Sequence, residues 1–314
     1  MKPIHGRMYF VAERGTSSAV FADHIDPLRR NPNIPQIVQQ RELAYGADAP
    51  FIQKTLCIAV ELMQAVYLPN GFQTDRCLEI ALAAARDLAS VADAVTDLKA
   101  REAATRVEVE AGRFPLGHLP HTQNLRGIVE QAVSHLRAVR VGALQVAELF
   151  YPKPRHNAPA DTHLMAIMQG LFDAADPFLT YFDAQLRALS DLATYRDAIM
   201  HPKAGVEFIV TDYSMAPEGH YLAPTVEVRH PISPLARMDV VQFLEVQADI
   251  IGNVFEMFLV AFCNFNAQQQ GGVFESAVAE LPEGEFRRGT RFYWHSWLTP
   301  GAVLHVNQPG DGLV

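Results

Sequence analysis

Apolar residues recur every three or four positions over most of the chain, and this spacing predicts amphipathic helices. Segments rich in proline or glycine separate the helical stretches, as at Pro69-Asn70-Gly71. The predicted helices cover residues 49–67, 74–111, 123–150, 161–175, 177–201 and 235–266. The pattern therefore predicts a mainly α protein.

Two parts of the chain depart from the helical spacing. Residues 206–213 and 225–228 alternate between apolar and polar, which predicts a β-hairpin within 206–229, between the last two long helices. Near the N-terminus we expect a short extended piece at Met8 to Ala12 and a helix around Ser17 to Ile25. The predicted fold is a helical bundle with one inserted hairpin and a short irregular or β tail.

This fold divides into three regions along the chain. Residues 1–120 form an N-terminal helical region, 121–270 a helical bundle that carries the hairpin, and 271–314 a C-terminal tail. The last residues, 307–314, are rich in glycine and polar side chains and are predicted to be disordered.

Composition adds a limit on nucleic-acid binding. Of the 314 residues, 49% are hydrophobic and 19% are charged, and the formal net charge is −9 at pH 7. An acidic chain lacks the broad basic surface that binds duplex nucleic acid, so any nucleic-acid contact must be local. Cys57, Cys77 and Cys263 lie outside any CxxC motif, which fits reduced thiols and offers no zinc site.

The apolar segments do not suggest contact with a membrane. The N-terminus lacks the apolar core of a signal peptide. The most apolar run, Ile250 to Cys263, contains Asn253 and Glu256 and is too short to span a bilayer. We therefore expect a buried core helix in a cytoplasmic protein.

Candidate chemistry lies in the helix 177–201. Asp176 and Pro177 suit its N-cap and first position, and Pro202 disfavours helical geometry at His201. At 100° per residue, Arg196 falls at the centre of the apolar stripe. The apolar members of this stripe are Phe182, Leu186, Leu189, Leu192, Ala193, Ile199 and Met200.

A guanidinium cannot lose its proton and is costly to bury without a partner. Arg196 therefore has a dedicated partner or faces a site that needs a cation. Asp197 and His201 lie four residues apart, so the carboxylate can orient the imidazole. A structural alternative is that His201 caps the helix C-terminus and Arg196 pairs with a buried carboxylate elsewhere.

The ending of this helix resembles the signature of a known superfamily. Its last residues are Arg-polar-x-x-x-His, here Arg196-Asp197-Ala198-Ile199-Met200-His201. This motif is similar to that of the HEPN superfamily (higher eukaryotes and prokaryotes nucleotide-binding domain), whose members are all-helical bundles. Many members have a hairpin or loop after the motif and then a long final helix, and the same order is predicted here. The resemblance covers residues 123–266.

The resemblance implies a metal-independent ribonuclease of a toxin or defence system, which acts on RNA as a homodimer and needs no cofactor. By position, Arg196 would hold the scissile phosphate and stabilise its developing charge. His201 would transfer a proton as the ribose 2′-hydroxyl attacks, and Asp197 would orient or assist.

Two other classes of function stay open. The same surface could belong to a non-catalytic helical module that binds a nucleotide or a protein partner. The twelve histidines also suit a helical haem or di-metal enzyme. Against that class, the Glu-x-x-His spacing from Glu227 to His230 lies on the predicted hairpin, and the pair His118 and His121 lies in a loop.

Two further groups of basic residues are candidates for binding. Three arginines on the helix 123–150 could line a site, although a solvated face fits them better. The tail segment 285–297 mixes arginines with aromatic rings, which can stack bases but favours a strand pair whose rings cover the helices. The arginines are Arg126, Arg137 and Arg140 on the helix and Arg287, Arg288 and Arg291 in the tail.

Overall fold

The computed structural model describes residues 2–4, 7–113, 117–152, 160–269, 273–282, 284–285 and 289–299. It is 51% helix and 21% strand, with four antiparallel sheets. The helices are α1 (Ala22–Ile25), α2 (Pro50–Ile52), a π-helical turn (Gln53–Cys57), α3 (Ile58–Leu62), α4 (Thr74–Glu110), α5 (Leu125–Phe150), α6 (Ala160–Leu171), α7 (Pro177–Met200) and α8 (Val240–Phe265). The strands are β1 (Lys2–Ile4), β2 (Arg7–Ala12), β3 (Gly15–Phe21), β4 (Ile37–Leu43), β5 (Glu207–Thr211), β6 (Ser214–Met215), β7 (Tyr221–Leu222), β8 (Thr225–Arg229), β9 (Leu235–Asp239), β10 (Phe274–Glu280) and β11 (Phe292–Leu298).

The prediction of a mainly α bundle with a single hairpin is wrong, and the fold is mixed α/β. The long helices occur close to their predicted bounds. The strands were underestimated because several are short or carry polar residues inward, so their sequences do not alternate cleanly.

The helix α8 forms the centre of the molecule and packs against α4, α5 and α7. Phe258 is fully buried, and its ring lies 5.8 Å from that of Phe182 and 5.0 Å from that of Phe262. Burying one such side chain contributes about 1.5–3 kcal/mol. By length and composition alone α8 would suit a membrane span, but 67% of its most apolar stretch is buried inside the protein, as in a core helix.

The N-terminal segment forms a four-stranded sheet in the order β1-β2-β3-β4. The helix expected around Ser17 to Ile25 is therefore wrong, apart from the short α1. Within β3, Thr16 and Ser18 point inward because the Thr16 hydroxyl donates to the Tyr45 carbonyl at 3.0 Å and the Ser18 hydroxyl to Glu42 at 2.7 Å. Inward polar side chains hide the alternation from which a strand is recognised.

The predicted hairpin is present, since β5 and β8 pair antiparallel from Glu207↔Arg229 to Thr211↔Thr225. A third strand, β9, pairs with β8 where the sequence predicted the first turn of the last helix. That helix begins instead at Val240, and the Asp239 side chain caps it by accepting the Gln242 N–H at 2.9 Å. Ser233-Pro234 predicted that the helix begins near residue 234. Because Leu235–Asp239 pairs with β8, the helix begins later than predicted.

The tail folds into an antiparallel hairpin of β10 and β11 that packs on α3 and α8. Trp294 is buried, stacks on Tyr67 at 4.7 Å between ring centroids, and donates its indole N–H to the Leu62 carbonyl at 2.9 Å. The same carbonyl, at the end of α3, also accepts the Gln64 N–H at 2.8 Å, so the indole ties β11 to the last turn of that helix. Arg287, Arg288 and residues 307–314 lie outside the described residues.

Candidate functional site

Arg196 lies at the edge of the buried face of α7, not at its centre. The last two turns of the helix bury Leu192, Tyr195 and Ala198, whereas the Arg196 side chain is 24% exposed. The buried face turns here because the end of α7 packs on β5 and the Tyr195 ring contacts that of Phe243, 6.1 Å away. An average direction over the whole helix could not show this turn.

The partner of Arg196 in the described chain is its neighbour Asp197. The guanidinium Nη1 lies 3.7 Å from Asp197 Oδ1, and the Asp197 side chain is 65% exposed. An exposed ion pair of this length contributes at most about 1 kcal/mol. The guanidinium is therefore not locked against an internal acid, and solvent reaches it.

His201 is exposed at the C-cap of α7. Its backbone N–H still donates to the Asp197 carbonyl at 2.8 Å, but its φ of −134° and ψ of 57° are no longer helical. The imidazole makes no hydrogen bond to Asp197, so the expected carboxylate–imidazole contact is not formed. The physical reason is Pro202, which disfavours helical geometry at the preceding residue.

A second helix contributes to the same surface. The Arg140 Nε on α5 donates to the Leu189 carbonyl of α7 at 2.7 Å. Burial lowers the pKa of the Arg140 guanidinium below its ordinary value. The positive charge of Arg137 also lowers it, whereas the carboxylates of Asp161 and Asp197 raise it. The charges of Asp161, Arg137 and Asp197 therefore all act on Arg140, which stays protonated at all ordinary pH values.

We call Arg137, Arg140 and Arg196 the α5–α7 arginine cluster. Within the described chain, Arg196 pairs with Asp197, and the carboxylates that act on the charge of Arg140 are Asp161 and Asp197. Among the described residues, no acid lies within 4 Å of Arg137 or Arg140. Such a surface attracts an anion, although the whole chain is acidic.

The sequence identified Arg137 and Arg140 only as basic residues that fit a solvated face. That interpretation holds for Arg126, whose guanidinium pairs with Glu130 one turn away at 2.8 Å. It does not describe Arg140, because the contact with Leu189 depends on the docking of α5 against α7. No local sequence signal reports such a contact.

Two other histidines singled out in the sequence, His121 and His230, have structural contacts. His121 Nδ1 lies 2.8 Å from Asp212 Oδ2, which ties the loop before α5 to the end of β5. His230 Nδ1 accepts the backbone N–H groups of Ile232 and Ser233 at 3.2 and 3.1 Å. In the part of the chain that the structure describes, no three His, Cys, Asp or Glu side chains are grouped to hold a metal ion.

The three cysteines are buried and free. Burial raises the pKa of the Cys57 and Cys77 thiols to about 12 and that of Cys263 well above its ordinary value. These thiols are therefore protonated near neutral pH and are poor nucleophiles.

Comparisons with protein-family models, with curated proteins and with solved structures find no match to this chain. The class that fold and site define is a mixed α/β protein with three arginines on the facing helices α5 and α7. The resemblance to the HEPN superfamily stays a prediction.

Proposed function

We propose that this protein is a metal-independent endoribonuclease whose substrate phosphate binds at the α5–α7 arginine cluster. The observation that supports this proposal most is the state of Arg196, whose side chain is 24% exposed and, among the described residues, pairs only with Asp197, at 3.7 Å. A phosphate can displace or share such a partner at low cost, whereas a buried ion pair would resist it.

Each named group has a chemical role. Arg196 binds the scissile phosphate and stabilises the charge that develops on its oxygens, since a guanidinium presents several donors to phosphate. Arg140 is anchored through Nε, and its terminal nitrogens, which donate to no other described residue, can contact a neighbouring phosphate. His201, at the C-cap of the same helix as Arg196, supplies the imidazole that transfers the proton.

The reaction moves one proton and exchanges one P–O bond. The ribose 2′-hydroxyl loses its proton to the His201 imidazole and attacks phosphorus. The bond from phosphorus to the 5′-oxygen breaks as the protonated His201 imidazole returns its proton, through water, to that oxygen. The products are a 2′,3′-cyclic phosphate and a free 5′-hydroxyl, and no metal is required. Asp197 keeps Arg196 oriented in the free protein.

The test is cleavage of single-stranded RNA in EDTA by the purified protein. We expect His201→Ala and Arg196→Ala each to lower the rate at least about 100-fold, in line with the loss of an acid–base group or a charge-stabilising donor. The matched controls are His24→Ala, an exposed histidine on α1, and Arg187→Ala, an exposed arginine on α7 paired with Asp183. Both controls should retain the wild-type rate.

Two results would contradict the nuclease. Intact RNA after prolonged incubation with wild-type protein rules out cleavage, as does cleavage that both site variants retain. If RNA stays intact but Arg196→Ala weakens its binding and Arg187→Ala does not, the surface belongs to a non-catalytic binding module.

A further inference from the structure

A groove separate from the arginine cluster lies between α7, α8 and the C-terminal hairpin. Its volume is about 660 Å³, and it is lined by the first three turns of α7, the second half of α8 and the facing residues of β10 and β11. This volume lies in the range of small-molecule sites. We call it the α7–α8 groove.

The groove contains an unusual carboxylate. Glu256 on α8 is 7% exposed, and it is the only charged residue in the buried set of the described chain. Burial raises the pKa of Glu256, whereas Arg291 and Lys54 lower it. A carboxylate is costly to bury unless a cation or hydrogen-bond donors compensate it.

Within the described residues, a single shared guanidinium compensates Glu256 at close range. Arg291 Nη2 lies 3.1 Å from Glu256 Oε2, but the Arg291 side chain is 45% exposed and its Nη1 also pairs with Glu280 at 3.2 Å. Among the described residues, none donates a hydrogen bond to Glu256 Oε1. Glu256 and Glu280 therefore share the Arg291 guanidinium beside the groove, and Lys54, which also acts on Glu256, is itself paired with Asp249. In the described part of the chain, this balance of charge favours a further cation.

The walls of the groove are aromatic and apolar. Phe178, Tyr181, Phe265 and Phe292 line it. The Arg291 guanidinium carbon lies 4.9 Å from the centroid of the Phe292 ring, a cation–π contact already present within the groove. The walls thus accept both a flat apolar body and a positive charge.

We propose that the α7–α8 groove binds a small organic cation, with its positively charged N–H group on Glu256 and its flat apolar body between the aromatic walls. The proposal is independent of RNA cleavage, because Glu256 and the four rings are not part of the arginine cluster. It explains why an acid is buried on the central helix, where an apolar residue would be less costly.

The experiment uses three probes with the same ring, measured by isothermal titration against the full-length protein. Benzamidine carries the cation, benzamide is its neutral analogue and benzoate its anionic analogue. We expect saturable binding of benzamidine and at least roughly tenfold weaker binding of the other two, because a charge-assisted hydrogen bond is stronger than a neutral one.

The test variant is Glu256→Gln, which keeps the shape of the side chain and removes its charge. We expect it to weaken benzamidine binding roughly tenfold. The matched control is Glu245→Gln, because Glu245 is an exposed residue of α8 that pairs with Lys99 outside this groove. This variant should bind benzamidine with the affinity of the wild type. Ala188→Trp, which fills the groove from α7, should abolish binding without altering Glu256.

Circular dichroism melts establish that each variant is folded, and Ala188→Trp supplies an independent measurement if Glu256→Gln does not fold. Absence of saturable benzamidine binding to the wild type would overturn the proposal. Equal affinity of the wild type for benzamidine and benzamide would overturn it too. So would a Glu256→Gln or Ala188→Trp variant that binds benzamidine as tightly as the wild type.

Discussion

Glu42 joins the N-terminal sheet to α4. Its carboxylate accepts from the Ser18 hydroxyl at 2.7 Å and from Arg86 Nη2 at 2.8 Å, and Arg7 Nη1 lies 3.6 Å away. The Ser18 hydrogen bond, with the nearby guanidinium groups of Arg86 and Arg7, lowers the pKa of Glu42 below its ordinary 4.5 although burial opposes the shift. This single residue therefore holds β3, β4 and α4 together.

The lowered pKa has a definite effect on stability. A carboxyl group whose pKa is lower in the folded state stabilises the fold above its unfolded pKa and loses that contribution as the pH falls through its folded pKa. We expect Glu42→Gln to lower the free energy of unfolding by about 1–2 kcal/mol at neutral pH. Urea denaturation at neutral pH and again well below pH 4.5 measures the difference, which should shrink at the lower pH.

The control is Glu13→Gln, because Glu13 is exposed and its side chain has no ion-pair partner among the described residues. It should leave the stability nearly unchanged at both pH values. A loss for Glu42→Gln that does not depend on pH would show that packing, and not the charge, carries the effect.

At the scale of elements, the junction of β9 and α8 shows how pairing decides between strand and helix. The sequence of Leu235 to Asp239 fits the first turns of a helix, and Ser233-Pro234 offers a cap and first position. In the structure Val226 pairs with Met238, and the cap moves to Asp239. The neighbouring strand β8 satisfies backbone groups that a helix would otherwise satisfy itself.

The position of the cap can be measured. We expect Asp239→Ala to lower the free energy of unfolding by about 1 kcal/mol, the usual contribution of an N-cap side chain. Ser233→Ala should cost clearly less, because Ser233 makes no side-chain hydrogen bond to a described residue. Chemical denaturation of both variants decides the matter, and the opposite ranking would place the start of the helix at residue 234.

At the scale of the whole molecule, the C-terminal hairpin completes the core. The cluster of buried apolar residues includes members from Ile4 to Trp294. Both tryptophans of the chain lie on β11 and point to opposite faces, since Trp294 is buried and Trp297 is 40% exposed. The hairpin is thus amphipathic, with one face on the helices and one toward solvent.

The two tryptophans provide a matched pair of variants. Trp294→Ala should lower the free energy of unfolding by about 3–5 kcal/mol, as for other large core truncations. Trp297→Ala should cost less than about 1 kcal/mol because its ring is half exposed. Urea denaturation followed by circular dichroism measures both, and equal losses would mean that the hairpin does not pack on the core through Trp294.

The local pattern determined the long helices and the hairpin 206–229, because helical spacing, caps and proline breaks are properties of neighbouring residues. It also placed Arg196, Asp197 and His201 near one helix end. Tertiary structure decided the four-stranded N-terminal sheet, the strand β9 and the turning of the buried face of α7, because each depends on which distant segment packs alongside. The packing of distant segments also placed Arg140 against α7 and Glu256 beside a groove. Such contacts cannot be predicted from the spacing of apolar residues within one helix, because they depend on a second helix far away in the chain.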